Sequence, residues 1–217
     1  IDYENGYSLY VGIPFCPSIC LYCSFSSSPL ERWRDQVDAY LDALLKELDF
    51  IAEAMKDKVL DTIYIGGGTP TTLEPYQIRR LLSHISEKFP VEQVKEYTVE
   101  AGRPDSITRE KLQALREFPV TRISVNPQTM NQATLDLIGR KHTVEDTRHA
   151  FALARECGFD NINMDLIVGL PGEQKEDVQR TLEEIKKLDP DSLTVHSLAV
   201  KRAARLNMFK DQYQEMG

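Results

Sequence analysis

Short apolar segments and longer amphipathic segments alternate along this chain. Six segments rich in Val, Ile, Tyr and Thr have the composition of buried β-strands. They span residues 7–13, 61–65, 96–101, 121–125, 161–168 and 192–199. The pattern therefore predicts six strands, each separated from the next by a stretch long enough for a helix.

The stretches between these strands carry apolar residues three and four positions apart, which is the spacing of one helix face. The clearest series are Leu41, Leu44, Leu45, Leu48 and Ile51; Ile78, Leu81, Leu82 and Ile85; and Val178, Leu182, Ile185 and Leu188. Thr143 with Asp146 three residues later predicts a capping box at the start of another helix, and Gly158 predicts its end. Strands and helices thus alternate.

Strands joined by helices run parallel, because a right-handed crossover returns the chain to the same end of the sheet. Six such units predict an α/β fold, a partial, open TIM-like (β/α)6 barrel, since a closed eight-stranded barrel takes about 250 residues and this chain has 217. We expect residues 1–200 to form one core domain. We expect the charged segment 201–217 to lead toward a further C-terminal domain.

Composition narrows the class of protein. Hydrophobic residues make up 41% and charged residues 28% of the chain, as in ordinary globular domains. The formal net charge of −8 gives no basic excess of the kind that binds nucleic acid or an anionic membrane. No apolar run approaches the ~18 residues of a membrane span, and the first residues lack the basic start of a signal peptide. We therefore expect a cytoplasmic protein with no membrane span and no nucleic acid partner.

Three cysteines lie directly after the first predicted strand. Cys16, Cys20 and Cys23 are separated by three and then two residues, so one short loop can wrap a single metal centre. Thiolate sulfur is the preferred ligand of iron–sulfur clusters and of zinc. Three local ligands leave one coordination position free for a small molecule. A zinc site completed by a distant histidine and a redox pair of Cys20 with Cys23 are the alternatives.

Other unusual residues fall where the predicted strands end, which is where reactive groups gather in a parallel α/β sheet. The glycine-rich segment 66–70 follows the second strand, Glu100 ends the third, Gln128 follows the fourth, Asp165 lies within the fifth and Ala199 ends the sixth. Glycines let the backbone approach a ligand closely. A charged Asp165 in an apolar strand requires a partner or a ligand. We expect these residues to share one rim with the cysteine loop.

The segment from Tyr10 to Cys23, Tyr-Val-Gly-Ile-Pro-Phe-Cys-Pro-Ser-Ile-Cys-Leu-Tyr-Cys, resembles the signature of the radical S-adenosylmethionine (SAM) superfamily. Gly-Gly-Gly-Thr-Pro-Thr at 66–71 and Asn-Met-Asp-Leu-Ile-Val-Gly-Leu-Pro at 163–171 are similar to segments of the anaerobic coproporphyrinogen III oxidases, or coproporphyrinogen dehydrogenases, of the HemN/HemZ type. The similarity runs from about residue 7 to residue 199.

This resemblance implies a set of cofactor-binding residues. Cys16, Cys20 and Cys23 would hold a [4Fe-4S] cluster whose fourth iron is chelated by SAM. The residues in register with the family's SAM contacts are Tyr10, Tyr22, Gly68, Thr69, Glu100, Gln128, Arg140, Asp165 and Ala199. No catalytic residue beyond the cluster and SAM is implied. Basic residues near the rim, such as Arg103 or Arg140, could pair with carboxylates of a substrate.

The resemblance also implies an activity. Reductive cleavage of SAM would give a 5′-deoxyadenosyl radical, and propionate side chains of coproporphyrinogen III would be oxidatively decarboxylated to the vinyl groups of protoporphyrinogen IX. A low-potential donor such as flavodoxin or ferredoxin would supply electrons. The oxidase pattern has a further cysteine two residues after Cys23, which this chain lacks, and Ser24-Phe25 is similar to haem-chaperone relatives. A haem-binding chaperone without porphyrinogen oxidase activity is therefore the alternative.

Overall fold

The computed structural model describes residues 4–23 and 28–199. The strands are β1 (Gly6–Ile13), β2 (Phe15–Cys16), β3 (Ser28–Pro29), β4 (Val59–Gly67), β5 (Glu96–Gly102), β6 (Arg122–Gln128), β7 (Ile162–Val168) and β8 (Ser192–Ser197). The α-helices are α1 (Leu30–Trp33), α2 (Val37–Ala54), α3 (Pro75–Lys88), α4 (Arg109–Arg116), α5 (Gln132–Leu137), α6 (Val144–Glu156) and α7 (Lys175–Leu188). Ser24-Phe25 and segment 201–217 lie outside the described residues.

Six of the strands form one sheet in the order β1-β4-β5-β6-β7-β8, and every neighbouring pair is parallel. The sheet curls into a half-barrel with helices packed against it. The predicted α/β half-barrel is therefore confirmed. No helix among the described residues is long and apolar enough to cross a membrane.

The sheet has one apolar and one polar face, because successive side chains of a strand point to opposite sides. Leu9, Val11 and Ile13 of β1 are buried in the same hydrophobic core as Leu41 of α2 and Leu81 of α3. The core thus lies between the sheet and its helices. The opposite, concave face carries polar side chains, among which are those predicted to bind a cofactor.

Several strands end at other positions than predicted, and the differences fall at residues predicted to bind the cofactor. Gly66 and Gly67 belong to β4, Glu100 precedes the last residue of β5 by two, Gln128 is the final residue of β6, and Ala199 lies two residues beyond β8. Register shifts between Glu100 and Gly102 and between Val125 and Gln128 explain two of these differences. A bulge lets a strand continue past a local irregularity that looks like its end in the sequence.

The predicted helix signals are confirmed in α6. Thr143 and Asp146 form a reciprocal capping box at its start. Gly158 follows its last turn with φ +89°, a conformation that glycine adopts without strain.

Candidate cluster and cofactor site

The cysteine loop is tied to the fold at its ends and near its middle. Cys16 is the last residue of β2, and β2 pairs with β3. The Leu21 amide, between Cys20 and Cys23, donates to the Ile138 carbonyl at 3.1 Å. None of the three cysteines forms a disulfide; Cys20 is buried and the other two are partly exposed. The loop can therefore present three sulfur ligands from a fixed backbone.

A glycine turn lies directly against this loop. The Gly68 amide donates to the Ile13 carbonyl at 2.7 Å, and the Thr69 amide donates to the Phe15 carbonyl at 2.8 Å. The Thr69 hydroxyl donates to Cys16 Sγ at 3.6 Å. A Cβ at Gly68 would lie 2.6 Å from the Phe15 carbonyl oxygen, closer than real Cβ atoms approach, and 3.0 Å from Cys16 Sγ, which is a tight contact. Only glycine fits here, and the turn meets the loop at Cys16.

An aromatic pair leads from the turn to a carboxylate on the concave face. The rings of Tyr10 and Tyr64 stack with centroids 6.0 Å apart, and the Tyr64 hydroxyl donates to Glu100 Oε1 at 2.8 Å. Burial raises the pKa of Glu100, and the nearby charge of Asp165 adds to this rise. The side chain of Tyr10 is 61% exposed, so its ring has a face available to a ligand.

Asp165 finds partners without forming a close ion pair. Asn163 Nδ2 donates to its Oδ1 at 2.5 Å, and Ser124 Oγ donates to the same oxygen at 3.4 Å. Its Oδ2 lies 3.8 Å from His196 Nε2, which is beyond hydrogen-bonding distance. One carboxylate oxygen is thus satisfied by the strand neighbours, and the other can accept from a ligand hydroxyl.

Two buried side chains at the rim have polar atoms without a partner in the described part of the chain. These are Oε1 of Gln128 and both Nε and Nη1 of Arg140. Arg140 Nη2 donates to the Tyr22 hydroxyl at 3.1 Å. Burial raises the pKa of Tyr22, and the neighbouring Cys20 adds to the rise. Gln128 has φ +70°, the left-handed region that strains a side chain other than glycine. Strain and orphaned polar atoms together are typical of a ligand site.

These contacts link most of the residues predicted to bind the cofactors. Thr69 contacts Cys16, Arg140 contacts Tyr22, and Tyr10 is connected to Glu100 through Tyr64. Gln128 and Ala199 stand apart from them, and Ala199 is exposed. Arg103, one of the two arginines suggested as partners of a substrate carboxylate, has a buried guanidinium that is bonded to Asp105 and Ser18. Sequence reasoning missed Tyr64 and Asn163. Their inward alternation with the apolar residues of β4 and β7 is the signal that could have identified them.

These features define the class of protein: a parallel α/β half-barrel that carries a three-cysteine loop and a glycine turn at one rim. The family model of the radical SAM superfamily matches residues 10–185. The chain belongs to the radical SAM superfamily, and this membership implies a [4Fe-4S] cluster and SAM as cofactors.

Several proteins of known sequence or structure are similar to it. The chain is 45% identical over 217 residues to the oxygen-independent coproporphyrinogen-III oxidase-like protein HemZ of Bacillus subtilis, covering 99% of this chain and 43% of that protein. It is 38% identical over 195 residues to the haem chaperone HemW of the same organism, covering 89% and 51%. The solved coproporphyrinogen III oxidase HemN from Escherichia coli matches with a TM-score of 0.81 and 31% identity over 98% of this chain and 52% of that one. The chain spans about half the length of the curated relatives it matches.

The residues present fit these cofactors. Three reduced thiols close together in the sequence match the ligand type of an iron–sulfur cluster. The glycine turn, the strained Gln128 and the orphaned guanidinium atoms of Arg140 offer partners for a polar ligand beside it. No three His, Cys, Asp or Glu side chains in the described ranges converge as ligands of one metal ion. The cysteines of a cluster bind different iron atoms and need no such convergence.

Proposed function

We propose that this chain is the core of an oxygen-independent coproporphyrinogen III oxidase, an enzyme that converts substrate propionates to vinyl groups with loss of carbon dioxide. The observation that carries the proposal is the contact between Thr69 and Cys16. It brings the loop proposed to hold the cluster against the turn proposed to hold SAM, as radical chemistry on that cofactor requires. The choice of substrate is supported by the similarity to HemZ along the whole chain.

Each predicted residue has a proposed part in binding. Cys16, Cys20 and Cys23 would ligate the cluster. Gly68 and Thr69 would contact the methionine portion. The proposed remaining contacts are Tyr10, Tyr22, Glu100, Gln128, Arg140, Asp165 and Ala199. When bound, the cluster and SAM supply abstraction of a hydrogen atom from the substrate.

The protein's own contribution is to bind and orient. Carboxylates such as Glu100 and Asp165 suit an ammonium group or ribose hydroxyls, which donate hydrogen bonds. The orphaned donors of Arg140 suit acceptor atoms of the cofactor. The exposed ring of Tyr10 can cover a bound ligand and exclude water. A fixed arrangement of this kind limits where a reactive carbon can reach.

A second candidate function is haem delivery without porphyrinogen oxidation. The similarity to the haem chaperone HemW favours it. Because the cysteine loop and the half-barrel would serve both proteins, the choice depends on what the full-length protein binds and converts.

The test uses the full-length protein, reconstituted with iron and sulfide without oxygen and supplied with a low-potential donor such as flavodoxin or ferredoxin. An oxidase releases 5′-deoxyadenosine and forms porphyrin vinyl product in proportion. SAM cleavage without vinyl product, together with stoichiometric haem binding, would establish the chaperone instead. The Cys20→Ala variant is the control for cluster-dependent cleavage, and Cys157→Ala, a cysteine just after α6, is the matched control for loss of a thiol.

A further inference from the structure

A buried guanidinium anchors the middle of the cysteine loop. Arg103 follows β5, and its side chain is 4% exposed. Its Nη1 donates to Ser18 Oγ at 2.5 Å and to the Ser18 carbonyl at 3.2 Å. Ser18 is the central residue of the three that separate Cys16 from Cys20. The contact therefore joins the end of a central strand to the point midway between two of the cysteines.

The orientation of this guanidinium is itself fixed. Asp105 accepts from Arg103 Nε at 3.0 Å and from Nη2 at 2.9 Å, a two-pronged pairing that holds the planar group in one plane. The Ser106 hydroxyl donates to the Arg103 carbonyl at 2.7 Å. Lys111 Nζ donates to the carbonyls of Ser106 and Thr71, at 3.3 and 2.6 Å. Because all three nitrogens of Arg103 are engaged, its side chain is not available to a substrate.

Two buried arginines, Arg103 and Arg140, lie beside the loop. Arg140 reaches the loop through Tyr22, and Asp105 is the carboxylate that pairs with Arg103. Burial and then the charge of Arg140 lower the pKa of the buried His142 to about 4, whereas Asp105 raises it and Arg103 lowers it by less than Asp105 raises it. Positive charge and hydrogen-bond donors near an iron–sulfur cluster favour its reduced, more negative form.

We propose that Arg103 is a positioning residue for the cluster: it fixes the loop between Cys16 and Cys20 through Ser18, and its charge raises the reduction potential of the cluster bound there. This inference rests on the proposed role of the three cysteines. Asp105 supports this role, because without its two hydrogen bonds the Arg103 guanidinium would lose its orientation toward Ser18. An arginine suits this position because its planar guanidinium reaches Asp105 and Ser18 from opposite edges at once, whereas the donors of a lysine share a single nitrogen.

The test compares Arg103→Met, Arg103→Lys and Ser18→Ala with the wild-type full-length protein. The matched control is Arg79→Met, which removes a similar arginine–carboxylate pair, with Glu117, from the outer helices. Two readouts are used: potentiometric titration of the reconstituted cluster followed by electron paramagnetic resonance, and hydrogen exchange of the loop amides before reconstitution. Ser18→Ala leaves the buried arginine in place and serves if Arg103→Met does not fold.

We expect several-fold less reduced cluster in Arg103→Met than in wild type at a fixed potential, with partial recovery in Arg103→Lys. Loop amides exchange several-fold faster in Arg103→Met and Ser18→Ala, and Arg79→Met matches wild type in both measurements. Wild-type potential and wild-type exchange in Arg103→Met, or in Ser18→Ala if it alone folds, would overturn the proposal while leaving the proposed function intact. Failure of the wild-type protein to hold a cluster would instead overturn the proposed function, and the exchange data would still test the contact.

Discussion

Tyr64 and Glu100 face each other from neighbouring strands, and the Tyr64 hydroxyl donates to Glu100 Oε1 at 2.8 Å. Donation from Tyr64 favours the ionised carboxylate, but burial outweighs it and raises the pKa of Glu100. The negative charge of Asp165 adds to the rise. The charged form of this buried carboxylate destabilises the ligand-free fold, and a cationic ligand bound beside it would gain from its negative charge.

Replacing Glu100 by Gln is expected to stabilise the ligand-free protein at neutral pH. The raised pKa means that the folded state keeps its proton to a higher pH than the unfolded state, so wild-type stability falls as pH rises through that raised value. The gain in Glu100→Gln should therefore disappear at acid pH. Urea unfolding across this pH range measures it, and SAM binding by the reconstituted variant is expected to weaken.

Glu117 provides a control, because its pKa is shifted in the opposite direction from that of Glu100. It is exposed and paired with Arg79, and that hydrogen bond lowers its pKa. Glu117→Gln is expected to lose a little stability at neutral pH, and this loss should fade as pH falls below the ordinary value for a glutamate. A neutral-pH gain in Glu117→Gln equal to that in Glu100→Gln would contradict the assignment of the effect to burial.

Gly68→Ala tests whether the glycine turn sets the position of Cys16. The added Cβ would meet the carbonyl oxygens of Phe15 and Ile13 at 2.6 and 2.9 Å, and backbone atoms cannot move aside cheaply. We expect a loss of roughly 1–3 kcal/mol in stability, as for other overpacked sites, and several-fold less iron after reconstitution. Gly12→Ala is the control, since its Cβ would be 3.4 Å from the flexible Tyr10 ring. Equal iron contents in the two variants would refute the idea.

The cysteine loop yields a direct prediction. Cys20→Ala should lose the brown colour of the cluster and all SAM cleavage, because two remaining thiolates hold the cluster too weakly. The far-ultraviolet circular dichroism should stay that of wild type, since Cys20 lies on a loop outside the sheet. Iron and acid-labile sulfide analyses measure the loss, with Cys157→Ala expected to match wild type. A full cluster in Cys20→Ala would exclude the proposed ligand set.

Much of the fold follows from local pattern. Strand composition and helix periodicity predict the six sheet strands and the helices α2, α3 and α7, because long amphipathic segments have one way to bury their apolar face. The short helices α1, α4 and α5 and the pair β2 and β3 were not predicted. Each has too few residues for a periodic signal, and the pairing of β2 with β3 depends on contacts across the cysteine loop.

The candidate site likewise has features that local sequence predicts and features that depend on distant contacts. The cysteine spacing and the glycine turn are local and can be read from the sequence. The roles of Arg103 and Tyr64 depend on partners 85 and 36 residues away along the chain, and no local pattern reports such a contact. The left-handed backbone at Gln128 coincides with a register shift between β6 and β7. The pairing of β6 with β7 is a property of the folded sheet, and the local sequence does not predict it.

His142 is expected to set part of the acid sensitivity of the fold. It is fully buried, and burial, reinforced by the charge of Arg140, lowers its pKa to about 4. The unfolded chain binds a proton near the ordinary value of about 6.5, so stability present at neutral pH is lost as pH falls from there toward 4. The difference corresponds to about 3 kcal/mol. Unfolding by urea at several pH values should show a smaller acid loss in His142→Gln than in wild type. His149→Gln, at an exposed position of α6, should retain the full loss, and an unchanged pH profile in His142→Gln would show that this histidine is not the group responsible.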